Sequence, residues 1–365
     1  MAVENFLQHS VNHCGNYFFH DYANARQQFL TTADSLGVTT TEQTWSLTNE
    51  LHCDSFWVGP ENAENVLLLI SGTHGVEGYC GSAVQTFILQ AIGQGAITLP
   101  ANCALLCIHA LNPWGMQHYR RCDHAGIDLN RNFINFTQLP ATDPNYLLFV
   151  EQLLAAPAEQ RFNTFTLLSE QFGQAKFDEA FSSGQYEFPW GPFYGGQQPA
   201  WSNTVIEEII QQYKLNKKLL VVLDIHSGLG PWGFGELISD HQPGSAAAEF
   251  ANQLFGPAVA HTLAGDSFSV AKRGLLDYRW HQFMREQGCF LTLEFGSYGS
   301  AALFNVILDD HIVWRDRPTK SSAAIAQQAQ HMLEHFCPKQ TLWQQAVLFK
   351  SWQVVNLACN QLQGR

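Results

Sequence analysis

The chain has 365 residues, 46% of them apolar and only 14% charged, and its 19 Lys and Arg against 32 Asp and Glu leave a formal charge of −13. An apolar content this high excludes a largely disordered chain. The acidity argues against non-specific nucleic-acid binding, which needs cations to neutralise phosphates. The opening segment, MAVENFLQHSVNHCGNYFF, has no basic stretch leading into an apolar one, and no run reaches the ~20 apolar residues of a membrane span. Neither a secretory leader nor a membrane anchor is therefore expected. Val66–Ile70 is the first short apolar run, followed by Ala104–Ile108, Leu219–Ile225, Phe234–Ile238 and Phe290–Phe295. Each is bounded by Gly, Pro, Ser or Asn, as a buried strand is. Helical spacing appears at Ser82–Ile92, Tyr146–Leu154, Thr204–Tyr213, Ala246–Phe255, Ser322–Phe336 and Leu342–Leu362. Residues 135–203 are the least regular. Within them Phe188–Asn203, rich in Gly, Pro and aromatics, reads as an ordered loop, either an insertion that walls a pocket or a surface excursion. The alternation predicts an α/β fold: one domain over residues 1–365, with a central mixed, mostly parallel twisted sheet flanked by helices on both faces.

The nine cysteines, Cys14, Cys53, Cys80, Cys103, Cys107, Cys122, Cys289, Cys337 and Cys359, are odd in number and form no C-x-x-C pair. A Cys-based metal or redox site is therefore not expected, and a reducing cytoplasm is. Cys80, Cys103, Cys107 and Cys289 read as small buried hydrophobes.

Ligands of α/β sheets gather at the carboxyl ends of the strands, so the residues just after each apolar run carry the most weight. After Val66–Ile70 comes Ser71–Gly78, with His74 and Glu77 in an H-x-x-E pair. After Leu219–Ile225 comes His226, and Glu294 stands near the end of Phe290–Phe295. A second H-x-x-E, His331 to Glu334, falls inside a helical pattern and reads as a solvated face. His74, by contrast, leaves a strand into a Gly-rich turn, where imidazole and carboxylate can converge. With His226 they make a His₂Glu set, one of the arrangements that hold a catalytic zinc with a position left open. Glu294 lies among apolar residues, where a carboxylate is costly unless it has a role; a general base is one. The polar stretch His118–Asn132 offers Asn130 and Arg131 as donors to a carboxylate and Arg121 as a cation for an oxyanion.

Taken together, T-H-G-V-E-G (Thr73–Gly78), R-C-D-H-A-G-I-D-L-N-R-N-F (Arg121–Phe133), D-I-H-S-G (Asp224–Gly228) and L-T-L-E-F (Leu291–Phe295) resemble the zinc metallocarboxypeptidase, carboxypeptidase A-like family in type and order. Y-G-G-Q-Q-P-A-W (Tyr194–Trp201) and D-I-H-S-G-L-G-P-W-G-F-G-E (Asp224–Glu236) resemble a bacterial branch of it. The resemblance spans about residues 60–315, with an insertion at about 136–201 and C-terminal helices at 320–363 outside that core. It implies a carboxypeptidase-like domain holding one zinc ion on His74, Glu77 and His226. Glu294 would act as general base and acid, and Arg121 would hold the oxyanion, with Arg120 one register away. Asn130 and Arg131 would clamp the substrate's terminal carboxylate, and Asp128 would orient a ligand histidine. Where digestive members carry a mobile tyrosine, this chain has Ser269, leaving Tyr278 or Tyr298 as substitutes. The long interval from Arg131 to His226 implies an added wall and a narrower funnel.

The expected activity is hydrolysis of an amide bond beside a free C-terminal carboxylate, on a small peptide substrate. The alternatives are an N-acyl amino acid deacylase of the succinylglutamate desuccinylase or aspartoacylase type, acting on an acyl amino acid, and a non-catalytic zinc-dependent binder of peptide termini. Intact Glu294 speaks against the last. Leu276 suggests an apolar side-chain pocket; Lys272 and Arg273 suggest an acidic substrate residue, and the balance leans to the acidic one. Neither nucleic acid nor membrane is an expected partner.

Overall fold

The computed structural model describes residues 2–36, 40–284 and 288–363. Among these, eight strands form one sheet: β1 Thr40–Ser46, β2 His52–Val58, β3 Asn65–Ser71, β4 Cys103–His109, β5 Leu219–Gly228, β6 Gly235–Ser239, β7 Val259–His261 and β8 Gly288–Gly296. Their order across the sheet is β1-β2-β4-β3-β5-β8-β6-β7. The central β4-β3-β5-β8 block is parallel. β1 and β2 extend it antiparallel on one side; on the other, β6 runs antiparallel to β8 and carries β7 parallel to itself. The mixed, mostly parallel sheet expected from the apolar runs is thus present. All five runs coincide with strands, Phe234 alone standing just before its own.

The two-residue period of a strand decides which side chain meets which layer. In β3, Leu67 and Leu69 enter the larger core while Val66, Leu68 and Ile70 enter the smaller one on the opposite face. In β4, Leu105 and Cys107 divide from Ala104, Leu106 and Ile108 in the same way. The larger core is closed by helices Ala2–Asn12, Tyr22–Asp34, Gly78–Gly93, Ala246–Phe255, Ser322–Phe336 and Thr341–Leu362, and the smaller by Trp201–Gln212 and Leu276–Met284. Along β5, Leu220 and Val222 belong to the smaller core, and the same parity continues into Asp224 and His226. Along β8, Phe290 is followed on that face by Thr292 and Glu294. One side of the sheet therefore changes from packing to chemistry as its strands approach their carboxyl ends.

The region before residue 60 is an edge of this same sheet plus two helices. β2 escapes a hydrophobic-pattern reading because Asp54 interrupts it. That side chain is fully buried and held by Arg26 at 2.6 and 2.9 Å and by Thr44 at 2.8 Å. β1 is a polar edge strand, and β7 has three residues. Within residues 135–203, the one expected helix is accompanied by two more: Tyr146–Ala155, Arg161–Phe172 and Gln174–Ser182. Their aromatic faces pack on each other and on Phe304, with Phe165 and Phe181 at 5.6 and 5.3 Å from that ring. No described helix is long and apolar enough to cross a membrane.

Candidate metal centre

β3 and β5 are hydrogen-bonded neighbours, yet the chain leaves β3 toward β4 on one side and reaches β5 on the other. The carboxyl ends of two such strands open a crevice, and Ser71 stands beside Ile225 at its lip. The turn after β3 is tightly backed. A Cβ on Gly75 would lie 2.2 Å from the Gly115 backbone, so only glycine fits there. Gly75 and Val76 donate their N–H groups to the carbonyls of Arg121 and Arg120, which fixes the H-x-x-E turn against the arginine pair.

His74, Glu77 and His226 meet in this crevice. His74 Nδ1 lies 2.9 Å from Glu77 Oε1, while His226 Nδ1 lies 3.1 Å from both His74 Nδ1 and Glu77 Oε2. All three side chains are buried and their donor atoms lie within 4.8 Å of one another. The outer ring nitrogens are already engaged: His74 Nε2 faces Asp128 at 3.1 Å and His226 Nε2 faces Asp224 at 2.7 Å. An imidazole that donates from Nε2 to a carboxylate keeps its lone pair on Nδ1. Two nitrogen lone pairs and a carboxylate can then face one another at contact distance, an arrangement suited to a cation among them. The donor set fits a divalent metal ion, with carboxylates behind both histidines.

Burial alone would raise the Glu77 carboxyl, but His74, His226 and Arg121 overrule it and hold it well below the usual range. Burial likewise opposes charge on Asp128, and Arg121, His74 and Arg131 again outweigh it. Arg121 Nη1 donates to Glu77 at 2.8 Å and Nε to Asp128 at 3.2 Å. Arg120 turns the other way, forming a buried pair with Asp310 at 2.8 Å over the Trp314 ring. Of the two adjacent arginines, Arg121 is the one beside the His74–Glu77–His226 cluster.

A cavity of about 560 Å³ opens on the cluster and is lined by His74, Glu77, Arg121, Asn130, Arg131, His226 and Glu294. Glu294 is paired across the ladder with His226, so both point to the same face. Its Oε1 accepts the Leu229 N–H at 3.0 Å; burial, and then the charge of Glu77, push its carboxyl up to about 8. Arg131 is buried, donating to the carbonyls of Ser182 and Asn130 at 2.8 and 2.6 Å. Asn130 fixes the next segment by accepting the Leu276 N–H at 2.8 Å. Phe193 underlies both guanidinium groups, 6.0 Å from Arg121 and 5.4 Å from Arg131. Its φ of +58° is a strained value for a bulky residue, of the kind found at functional sites.

Two sets of sequence candidates stand away from the cavity lining. Arg273 donates to the Ala141 carbonyl at 2.7 Å and is not among the described residues lining the cavity, whereas Lys272 is. Adjacent side chains of a loop diverge, and spacing offers no means of choosing between them. Among the described residues lining the cavity, neither Tyr278 nor Tyr298 is present: Tyr278 donates to the Lys272 carbonyl and Tyr298 to Glu334, while Ser269 is in the wall. Three contributors emerge only from the structure. Asp224 bonds both His226 and the Thr73 hydroxyl, the latter at 2.9 Å. Its signal is present as D-x-H on a strand, a spacing that puts both side chains on one face. Phe193 and the helices Arg161–Phe172 and Gln174–Ser182 leave no local signature, although the insertion itself and the helix at Tyr146 are legible in the sequence.

The fold and this cluster define an α/β protein with a candidate divalent-metal site at a sheet switch point. A family described as "Protein of unknown function (DUF2817)" matches residues 18–350, and the chain belongs to it. No curated protein matches the sequence. Among solved structures, the chain is similar to bovine thrombin-activatable fibrinolysis inhibitor in complex with tick carboxypeptidase inhibitor (13% identity, TM-score 0.49, 87% of this chain and 98% of that one). It is also similar to carboxypeptidase A from Helicoverpa armigera (14% identity, TM-score 0.48, 86% and 74%). A third is the succinylglutamate desuccinylase from Chromobacterium violaceum (17% identity, TM-score 0.33, 86% and 74%).

Proposed function

We propose that the chain is a zinc-dependent amide hydrolase that cleaves beside a free α-carboxylate, a metallocarboxypeptidase-type reaction. One juxtaposition carries the reading: a buried carboxylate, Glu294, shares a cavity with a His₂Glu donor set and two arginines. His74, Glu77 and His226 would hold the ion, which when bound supplies Lewis acidity toward water and an acyl oxygen. Glu294 takes the proton of the attacking water and delivers it to the leaving nitrogen. Arg121, whose guanidinium stands beside Glu77, would stabilise the negative charge of the acyl oxygen. Asn130 and Arg131 bind the carboxylate of the leaving amino acid. Asp128 and Asp224 keep the two imidazoles in the tautomer that presents Nδ1.

A sister reading, an N-acyl amino acid deacylase, is favoured by one observation. The insertion helices send Phe162, Phe165 and Phe177 into the cavity wall, which suits short substrates. Zinc-loaded protein assayed on N-blocked dipeptides and on N-acyl amino acids separates the two. Glu294→Gln should lower turnover by about 10²–10⁴-fold while leaving metal content unchanged. Turnover that survives in Glu294→Gln overturns the assignment.

A further inference from the structure

The hydrolytic roles use one end of the cavity and leave the other without a task. That end lies between the insertion helices and the helix Ser300–Arg315, which follows β8. Two adjacent acids of this last helix hold it together. Asp310 takes Arg120, the neighbour of Arg121, and Asp309 takes Arg161 of the insertion at 2.6 Å. The cavity lining here is Phe162, Phe165, Phe177, Leu303, Phe304 and Ile307. Phe165 stands 5.8 Å from Phe177 and stacks on Phe304 at 5.6 Å. Phe304 in turn lies 6.4 Å from Phe193, the ring beneath Arg121. A continuous line of rings therefore runs outward from the arginines.

Phe162 and Phe268 line the cavity while remaining 58% and 53% exposed. Rings left in water at the edge of a cavity suit an apolar ligand. The polar groups of the insertion wall are spent locally. Thr166 and Ser169 donate their hydroxyls to the Phe162 and Thr166 carbonyls at 3.0 and 2.9 Å, and Gln174 donates its amide to Asp178 at 2.9 Å. A peptide continuing past the scissile bond would bring further N–H and C=O groups, each needing a partner. An aliphatic chain brings none. One end of the cavity thus offers cations to a carboxylate and the other offers rings to a hydrocarbon, the polarity of an amphiphile with an anionic head.

We infer that the chamber between the insertion helices and Ser300–Arg315 receives the aliphatic acyl chain of an N-acyl amino acid. This rests on the hydrolase reading and narrows its deacylase form to apolar acyl groups. Asn130 and Arg131 take the carboxylate of the leaving amino acid, so the acyl half extends past Arg121, to the side where Asp310 anchors its helix. Hydrolysis breaks the acyl C–N bond. Water supplies a hydroxyl to the acyl carbon and a proton to the nitrogen, releasing a fatty acid and the free amino acid.

The test uses zinc-loaded protein with N-acetyl, N-butanoyl, N-hexanoyl and N-octanoyl derivatives of alanine, leucine, glutamate and lysine, and N-blocked dipeptides alongside. Burying a methylene is worth about 0.8 kcal/mol, so kcat/KM should rise about fourfold per CH₂ until the chamber is full. Phe162→Gln, at an exposed position, should lower the octanoyl-to-acetyl ratio by about fourfold or more. The ratio is taken on one preparation, so loss of folded protein does not mimic the effect. Calorimetric titration of chelator-treated protein with octanoate and acetate gives a readout independent of turnover. Octanoate should bind the more tightly, and Phe162→Gln should weaken it. Phe349→Gln, in the separate groove between the first and last helices, should not. Acetyl substrates cleaved as fast as octanoyl ones, cleavage of dipeptides alone, or octanoate binding lost in Phe349→Gln overturns the chamber. Octanoate binding that depends on Phe162, without hydrolysis of any substrate, leaves the chamber standing and overturns the hydrolase reading.

Discussion

Replacing Asp224 with Asn tests the proposed metal centre without touching any of its proposed ligands. The Asp224 carboxylate is fully buried on β5 and accepts from His226 Nε2 at 2.7 Å and from the Thr73 hydroxyl at 2.9 Å. Asparagine keeps the shape and one acceptor but removes the charge that makes His226 Nδ1 a strong donor. Partners of this kind are worth about 10–100-fold in metal affinity. At 1.36 kcal/mol per decade this is about 1.4–2.7 kcal/mol, in line with one charge-assisted hydrogen bond. Competition for zinc against a chromophoric chelator measures it directly, with the thermal midpoint of the metal-free protein as a control for folding. Thr73→Val, which removes only the neutral partner, should lose less affinity than Asp224→Asn. If Asp224→Asn binds zinc as tightly as the parent, then His226 is not a ligand through Nδ1 and the centre is misassigned.

A backbone change and a pH change probe other parts of the molecule. Gly274 sits at φ +66°, where an added Cβ would lie 2.2 Å from the Arg131 carbonyl. Gly274→Ala should destabilise the protein by about 1–2 kcal/mol from the backbone alone, and displacement of Arg131 should raise KM more than it lowers kcat; unchanged values of both refute the clamp. Acidification tests the buried histidines. Burial, the largest influence on each, depresses His109 and His311 to about 4 from 6.5. The unfolded chain therefore takes up protons first, and stability present above about pH 6.5 is lost as pH falls toward about 4. The loss is on the order of 3 kcal/mol per imidazole. Urea midpoints between pH 7 and pH 4 check it, and a flat profile refutes it.

The sequence discloses what depends on local order and conceals what depends on distant contact. Buried parallel strands are apolar on both faces, so β3, β4, β5 and β8 announce themselves, and His74, Glu77, His226 and Glu294 stand out as polar groups at their ends. β1 and β2 are hidden because an edge strand is polar and because Asp54 is neutralised by Arg26, some thirty positions earlier. The division of labour between Arg120 and Arg121 depends on Asp310, almost two hundred residues away. The direction of Arg273 depends on a carbonyl in the insertion. Asp240 lies beyond the last apolar residue of its strand, and nothing local marks its burial.

All nine cysteines are unpaired and buried, and burial raises every thiol. The folded molecule thus presents almost no thiolate to an alkylating reagent, and labelling proceeds only through molecules that have opened. The chain carries its own chemical clock. Modification of Cys103 and Cys107, in the middle of the sheet, times global opening, whereas Cys14 and Cys359, in the terminal helical layer, time its peeling away.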